Sequence, residues 1–187
     1  KAAHVAEDLN GIIPYIVDGG TTGIGIESTV LDVTHEPPVI LRPGGVTKEM
    51  LEEVIGTVIE PTHDEQKIES TPKAPGMKYT HYAPEAPVYL IDETANIELA
   101  VTTLQQQGHK VALLAPRTYA HSVADYFFTF GDEHDQHQMG ANLYDALRSC
   151  DKTDATIILA TATSKKGVGS AIMNRLEKAS GEKWYKF

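Results

Sequence analysis

From residue 85 onward, short apolar runs alternate with longer amphipathic ones, and that alternation restricts the fold more than any other feature. Pro87-Val-Tyr-Leu-Ile91, Val111-Ala-Leu-Leu-Ala115, residues 127–130 and Thr156-Ile-Ile-Leu-Ala160 each read as a strand. Helical patterns fill the spaces: residues 97–107, stopped by Gly108; a short one around 122–126; then 141–149 and 170–179. Strands that alternate with helices over short connections pair in parallel. Strands apolar along their length need helices on both faces. The fold class is therefore α/β, with a doubly wound, Rossmann-like parallel sheet over residues 85–187.

Residues 1–60 have a different texture, rich in glycine and short β-type runs. Ile12-Ile-Pro-Tyr-Ile-Val17 reads as a buried strand, and Ser28-Thr-Val-Leu-Asp-Val33 as another after a glycine-rich turn. Val39-Ile-Leu-Arg42 is a third, stopped by Pro43-Gly44-Gly45. Thr47 is placed to cap a helix that carries Met50, Leu51, Val54 and Ile55 on one stripe and ends at Gly56. Residues 61–84 hold Pro61, Pro72, Pro75 and Pro84 and no sustained period, so they read as a linker or lid between two units.

Charge narrows the function classes. The net charge is −10, and both parts of the chain are acidic: 6 basic against 13 acidic residues up to Pro84, and 10 against 13 beyond it. A protein that grips a nucleic-acid backbone shows a basic face, so direct, tight tRNA or DNA binding is disfavoured. No apolar run approaches the ~18 residues that span a bilayer, and the sequence opens without a signal-peptide pattern, so no membrane role is expected. A lone Cys150 rules out an internal disulfide, reads as a small packed thiol, and fits a cytoplasmic location.

Three segments have the residue types for ligand chemistry. The first, residues 18–30, places Gly19, Gly20, Gly23 and Gly25 among hydroxyl residues that include Ser28. Such a loop can bring amides and hydroxyls to an anion, although a plain glycine turn fits its local chemistry slightly better. It is neither a Walker loop nor a Rossmann fingerprint. The second, Leu41-Arg42-Pro43-Gly44, ends a strand with a guanidinium suited to phosphate or carboxylate; pairing with a local acid fits equally well. The third, residues 74–84, sets Lys78, Tyr79, His81 and Tyr82 inside a proline-bounded loop, where aromatic faces suit a nucleobase. Two other segments are weaker. Residues 132–137 hold metal-type side chains at a spacing that fits no standard site, and a solvated loop is the stronger reading. Gly167-Val-Gly169 lies where this fold class can bind an anion, or is a solvated turn.

These segments jointly resemble the YrdC-like family of threonylcarbamoyl-AMP synthases, in its long, two-domain form. Gly25-Ile-Glu-Ser-Thr-Val-Leu-Asp32 is similar to the family's Glu-Ser-Thr-Val segment, and Leu41-Arg-Pro-Gly44 to its arginine segment. Pro75-Gly-Met-Lys-Tyr-Thr-His-Tyr-Ala-Pro84 resembles the linker motif that marks the long form. Asn142-Leu-Tyr-Asp-Ala-Leu147 and Gly169-Ser-Ala-Ile-Met-Asn-Arg-Leu176 resemble its C-terminal helices. The resemblance covers nearly the whole chain. It implies that residues 1–60 are the C-terminal part of a YrdC-like catalytic domain.

The resemblance also implies a reaction. L-Threonine and bicarbonate form N-carboxy-threonine, which attacks the α-phosphate of ATP, itself accompanied by Mg2+. Pyrophosphate leaves, and the threonylcarbamoyl-AMP goes to the machinery that modifies tRNA. Ser28 would contact threonine, and Arg42 and Tyr79 would contact ATP. No catalytic nucleophile or base, no resident metal and no covalent cofactor is implied, which suits catalysis by positioning and charge neutralisation. The family's Lys-x-Arg and Ser-x-Asn motifs would fall upstream of Lys1, so the 187-residue piece alone is expected to be inactive. An incomplete sheet would invite edge pairing, so a homodimer is a further expectation. Two other readings compete: an α/β module that binds a small ligand or partner without catalysis, and an RNA-binding protein, which the charge disfavours.

Overall fold

The computed structural model describes residues 1–61 and 83–187. Tyr79 and nearly all of the 75–84 motif therefore lie outside the described residues. The first helix is α1 (Ala2–Leu9). An antiparallel pair follows, β1 (Val30–Asp32) and β2 (Val39–Arg42), in which Val30 faces Arg42 and Leu31 faces Ile40. Ile59 runs beside this pair: the Ile40 amide donates to its carbonyl at 2.8 Å, and Val58 and Ile40 are both buried.

Then comes α2 (Lys48–Ile55), whose Thr47 cap takes the Met50 amide at 3.3 Å, as its position predicts. No residue of α2 is buried; Met50, Val54 and Ile55 are exposed and Leu51 is half-buried, so most of the expected apolar stripe is left uncovered among the described residues. Its stability consequently rests on local terms. Thr47→Ala should cost α2 about 1 kcal/mol, seen as faster amide exchange at residues 48–55 with little change in global melting.

The second unit is a four-stranded parallel sheet in the order β3-β6-β4-β5. Its strands are β3 (Val88–Ile91), β4 (Val111–Ala115), β5 (Tyr126–Thr129) and β6 (Ile157–Thr161). Its helices are α3 (Ile97–Gln106), α4 (Gln136–Cys150) and α5 (Val168–Ser180). The alternation of side chains along each strand divides the core into two layers. Ala112, Leu114, Ile158 and Ala160 meet α4 and α5 on one face. Val111, Leu113, Ile157 and Leu159 meet α3 on the other. This is the two-sided coverage expected of strands without a polar face. The C-terminal tail lies along β3, with the Leu90 amide donating to the Lys183 carbonyl at 2.9 Å, so that edge is partly covered.

Three sequence expectations need correction. Residues 12–17 are not a buried strand: Ile12, Tyr15 and Val17 are exposed and no described strand pairs with them. Pro14 removes a ladder donor, and the Ile12 amide instead bonds back to the Leu9 carbonyl at 3.0 Å, closing the end of α1. Residues 122–126 are not a helix. A single 3-10 turn covers Arg117–Tyr119, and the Asp125 carboxylate takes the Val111 amide at 2.8 Å and holds the chain extended into β5. Finally, α4 starts earlier than residue 141, because Asp135 caps it by accepting the Gln138 amide at 2.9 Å.

Candidate functional site

The antiparallel pair brings Ser28 and Arg42 together. Arg42 ends β2 opposite Val30, and its guanidinium turns back along β1: Nε donates to the Ser28 carbonyl at 3.1 Å and Nη2 to the Ser28 hydroxyl at 3.3 Å. Gly44 makes the approach possible. A Cβ there would lie 2.4 Å from both the Glu27 carbonyl oxygen and the Thr29 amide, so only glycine lets the two segments touch. Thr29 adds a 2.5 Å bond from its hydroxyl to the Val46 carbonyl. Ser28 is exposed and Arg42 half-buried, so a hydroxyl and a cation share one accessible surface. This combination suits a carboxylate or phosphate group.

Behind that surface lies a charge cluster invisible to local sequence patterns. Arg175 of α5 is 6% exposed. Its Nε and Nη2 donate to Glu27 Oε2 at 2.8 and 2.7 Å, and its Nη1 donates to the Pro43 carbonyl at 2.7 Å. The Tyr144 hydroxyl of α4 donates to the same carboxylate at 2.9 Å. Burial alone would push the Glu27 carboxyl up, but the Arg175 guanidinium, its hydrogen bonds and Tyr144 hold it below the ordinary value. Burial, together with the Glu27 charge, pushes the Tyr144 phenol well up, so it remains a donor. Burial and the Arg175 charge depress the Lys178 ammonium, with Arg42 adding to the effect, so Lys178 stands in the same positive neighbourhood.

Other contacts tie the amino-terminal residues to the parallel-sheet unit. Gly25, at φ +73°, lies against α4, where a Cβ would come within 2.3 Å of the Ala141 Cα. Along the outside, Lys1 pairs with Asp145 at 2.6 Å and Arg148 with Asp8 at 2.6 Å, exposed or half-buried ion pairs of small individual worth. The Gly167 amide donates to Glu49 of α2 at 3.3 Å and the Gly169 amide to the Gln136 side chain at 3.1 Å. The amides considered for an anion thus meet the protein's own acceptors. The Asp132–His137 segment also has structural duties: Arg117 pairs with Asp132 at 3.3 Å and Asp135 caps α4. Among the described residues no group of side chains could hold a metal ion. Cys150 is buried and its thiol pushed up to about 12 by burial and Asp151, as for a packed thiol.

At the carboxyl edge of the parallel sheet, where such folds often bind ligands, there is a cavity of about 20 Å³. Glu93, Tyr119 and Thr161 line it, and the buried Thr161 hydroxyl has no hydrogen-bond partner. That volume is the size of one water-sized group.

The geometry defines a class: an α/β protein whose parallel-sheet unit grips an antiparallel arm that exposes a serine hydroxyl beside an arginine. The family model described as "Threonylcarbamoyl-AMP synthase, C-terminal domain" matches residues 46–181, and the chain belongs to that family. A second model, described as "Telomere recombination", matches residues 1–44. The threonylcarbamoyl-AMP synthase of Pyrococcus abyssi is 44% identical over 187 residues, 97% of this chain and 53% of that protein. The Bacillus subtilis synthase is 46% identical over 186 residues, again 97% of this chain and 53% of its own length. The crystal structure of P. abyssi Sua5 complexed with L-threonine matches all of this chain and 55% of that one, with a TM-score of 0.88 and 44% identity. The chain therefore spans about half the length of the curated relatives it matches.

Proposed function

We propose that this chain is the C-terminal part of an L-threonylcarbamoyladenylate synthase, a nucleotidyltransferase that uses L-threonine, bicarbonate and ATP. The observation that carries this reading is the joined Ser28 hydroxyl and Arg42 guanidinium on an accessible surface, in a chain 44% identical to a synthase over its length. The complex of the P. abyssi relative with L-threonine supports threonine as the amino-acid substrate. In the proposed scheme Ser28 contacts threonine, while Arg42 and Tyr79 contact ATP, which enters with its Mg2+. The threonine amine attacks bicarbonate, a C–N bond forms, a C–O bond breaks, and water leaves to give a carbamate. A carbamate oxygen attacks the α-phosphorus, the bond to the β-phosphate oxygen breaks, and pyrophosphate leaves. Charge gathers on phosphate oxygens, where a fixed guanidinium stabilises it without rearrangement. The product is then consumed by the machinery that places threonylcarbamoyl on tRNA. No helix among the described residues is long and apolar enough to cross a membrane; we place the enzyme in the cytoplasm.

Pyrophosphate release by the full-length gene product, with ATP, threonine and bicarbonate each omitted in turn, tests the reading. Release that needs all three supports it, and release independent of threonine overturns it. Arg42→Ala should lower kcat/KM for ATP by about 10- to 100-fold, the worth of one charge-assisted hydrogen bond.

A further inference from the structure

We infer that Arg175 is a positioning residue for the Ser28–Arg42 surface: from the parallel-sheet unit, one buried guanidinium holds the neighbour of each site residue. Glu27 directly precedes Ser28 and Pro43 directly follows Arg42. Arg175 takes the Glu27 carboxylate through Nε and Nη2 and the Pro43 carbonyl through Nη1, with Asn174 Oδ1 also accepting from Nη1 at 3.2 Å. The planar fork fixes the distance between the Glu27 carboxylate and the Pro43 carbonyl. Adjacent Cα atoms are ~3.8 Å apart, so holding these two neighbours restrains the spacing of Ser28 from Arg42. A lysine ammonium has the charge but lacks the rigid fork.

The fold does not need this ion pair for its core. Val168, Ile172, Leu176 and Ala179 already seat α5 on the sheet. A buried ion pair is seldom better for stability than apolar residues of the same volume. What the pair provides is geometry, and misplacing reacting groups by ~1 Å costs about 100-fold in rate. The parallel-sheet unit would then act on catalysis without touching substrate.

The inference rests on the synthase reading, so its test needs one readout that does not. Arg175→Lys and the double variant Glu27→Gln/Arg175→Met are compared with wild type in the full-length protein. Melting temperature reports folding, amide exchange at residues 26–44 reports order, and pyrophosphate release gives KM and kcat. Expected are folded variants whose 26–44 amides exchange about tenfold faster or more and whose kcat/KM falls about 10- to 100-fold. The double variant should recover melting temperature but not kcat/KM, a split that a purely structural role would not produce. Wild-type exchange and kinetics in either folded variant overturn the inference. If wild type releases no pyrophosphate, the synthase reading fails, while exchange at 26–44 still decides whether Arg175 orders this surface.

Discussion

Glu27→Ala should detach the antiparallel arm from the parallel-sheet unit. The substitution leaves the Arg175 guanidinium, 6% exposed, without its carboxylate and removes the acceptor of the Tyr144 hydroxyl. Breaking a buried pair by deleting one partner costs about 3–5 kcal/mol, because the remaining charge is still desolvated. The parallel-sheet unit has two apolar layers of its own, so it should stay folded. The loss should appear instead as local opening of residues 24–46, read by limited proteolysis and by amide exchange. Removing both charges, as in Glu27→Gln/Arg175→Met, should recover the part of that cost that comes from the buried unpaired charge, while residues 26–44 still exchange faster than in the wild type.

Acid should do to the wild type part of what Glu27→Ala does. The folded-state value of Glu27 is held below the ordinary 4.5 by Arg175 and Tyr144, against the upward pull of burial. Its contribution is therefore fully present above the unfolded value and is lost as pH falls through the lowered one. Opening of residues 24–46 should rise below pH 4.5 in the wild type and respond less in Glu27→Gln.

The parallel-sheet unit was legible because its signals are local. Residues 111–115 and 157–160 are apolar throughout, and a strand without a polar face has to be covered twice. The failures trace to features that local pattern does not encode. The apolar character of residues 12–17 indicates a preference for burial but supplies no partner, and Pro14 denies a strand there one of its ladder donors. The early start of α4 depended on Asp135 acting as a cap inside a run that reads as solvated loop. At the site, Ser28 and Arg42 were legible through the resemblance, and the fold brings them together. Glu27, Tyr144 and Arg175 each lie inside segments singled out by that resemblance, yet their meeting was not. Glu27 and Arg175 are 148 residues apart, and only the folded arrangement of β1, β2 and α5 joins them. A glutamate beside a serine, read alone, is an ordinary surface acid.

Gly25→Ala should produce the same opening as Glu27→Ala by a steric route. Gly25 has φ +73°, a left-handed conformation that costs a residue with a Cβ about 1–2 kcal/mol. The added carbon would also lie 2.3 Å from the Ala141 Cα and 2.8 Å from the Gly140 carbonyl oxygen. Both are backbone of a helix whose Met139 and Leu143 are buried in the core, so α4 cannot withdraw. The loop must lift instead, and overpacking of this kind adds about 1–3 kcal/mol. Lifting at Gly25 draws Glu27 away from Arg175 two residues later, so the steric and electrostatic costs are coupled rather than additive. A double variant Gly25→Ala/Glu27→Ala should therefore open residues 24–46 little more than the worse single variant. If the two losses add in full, the arm is held by independent contacts, and Gly25 and Glu27 do not act as one latch.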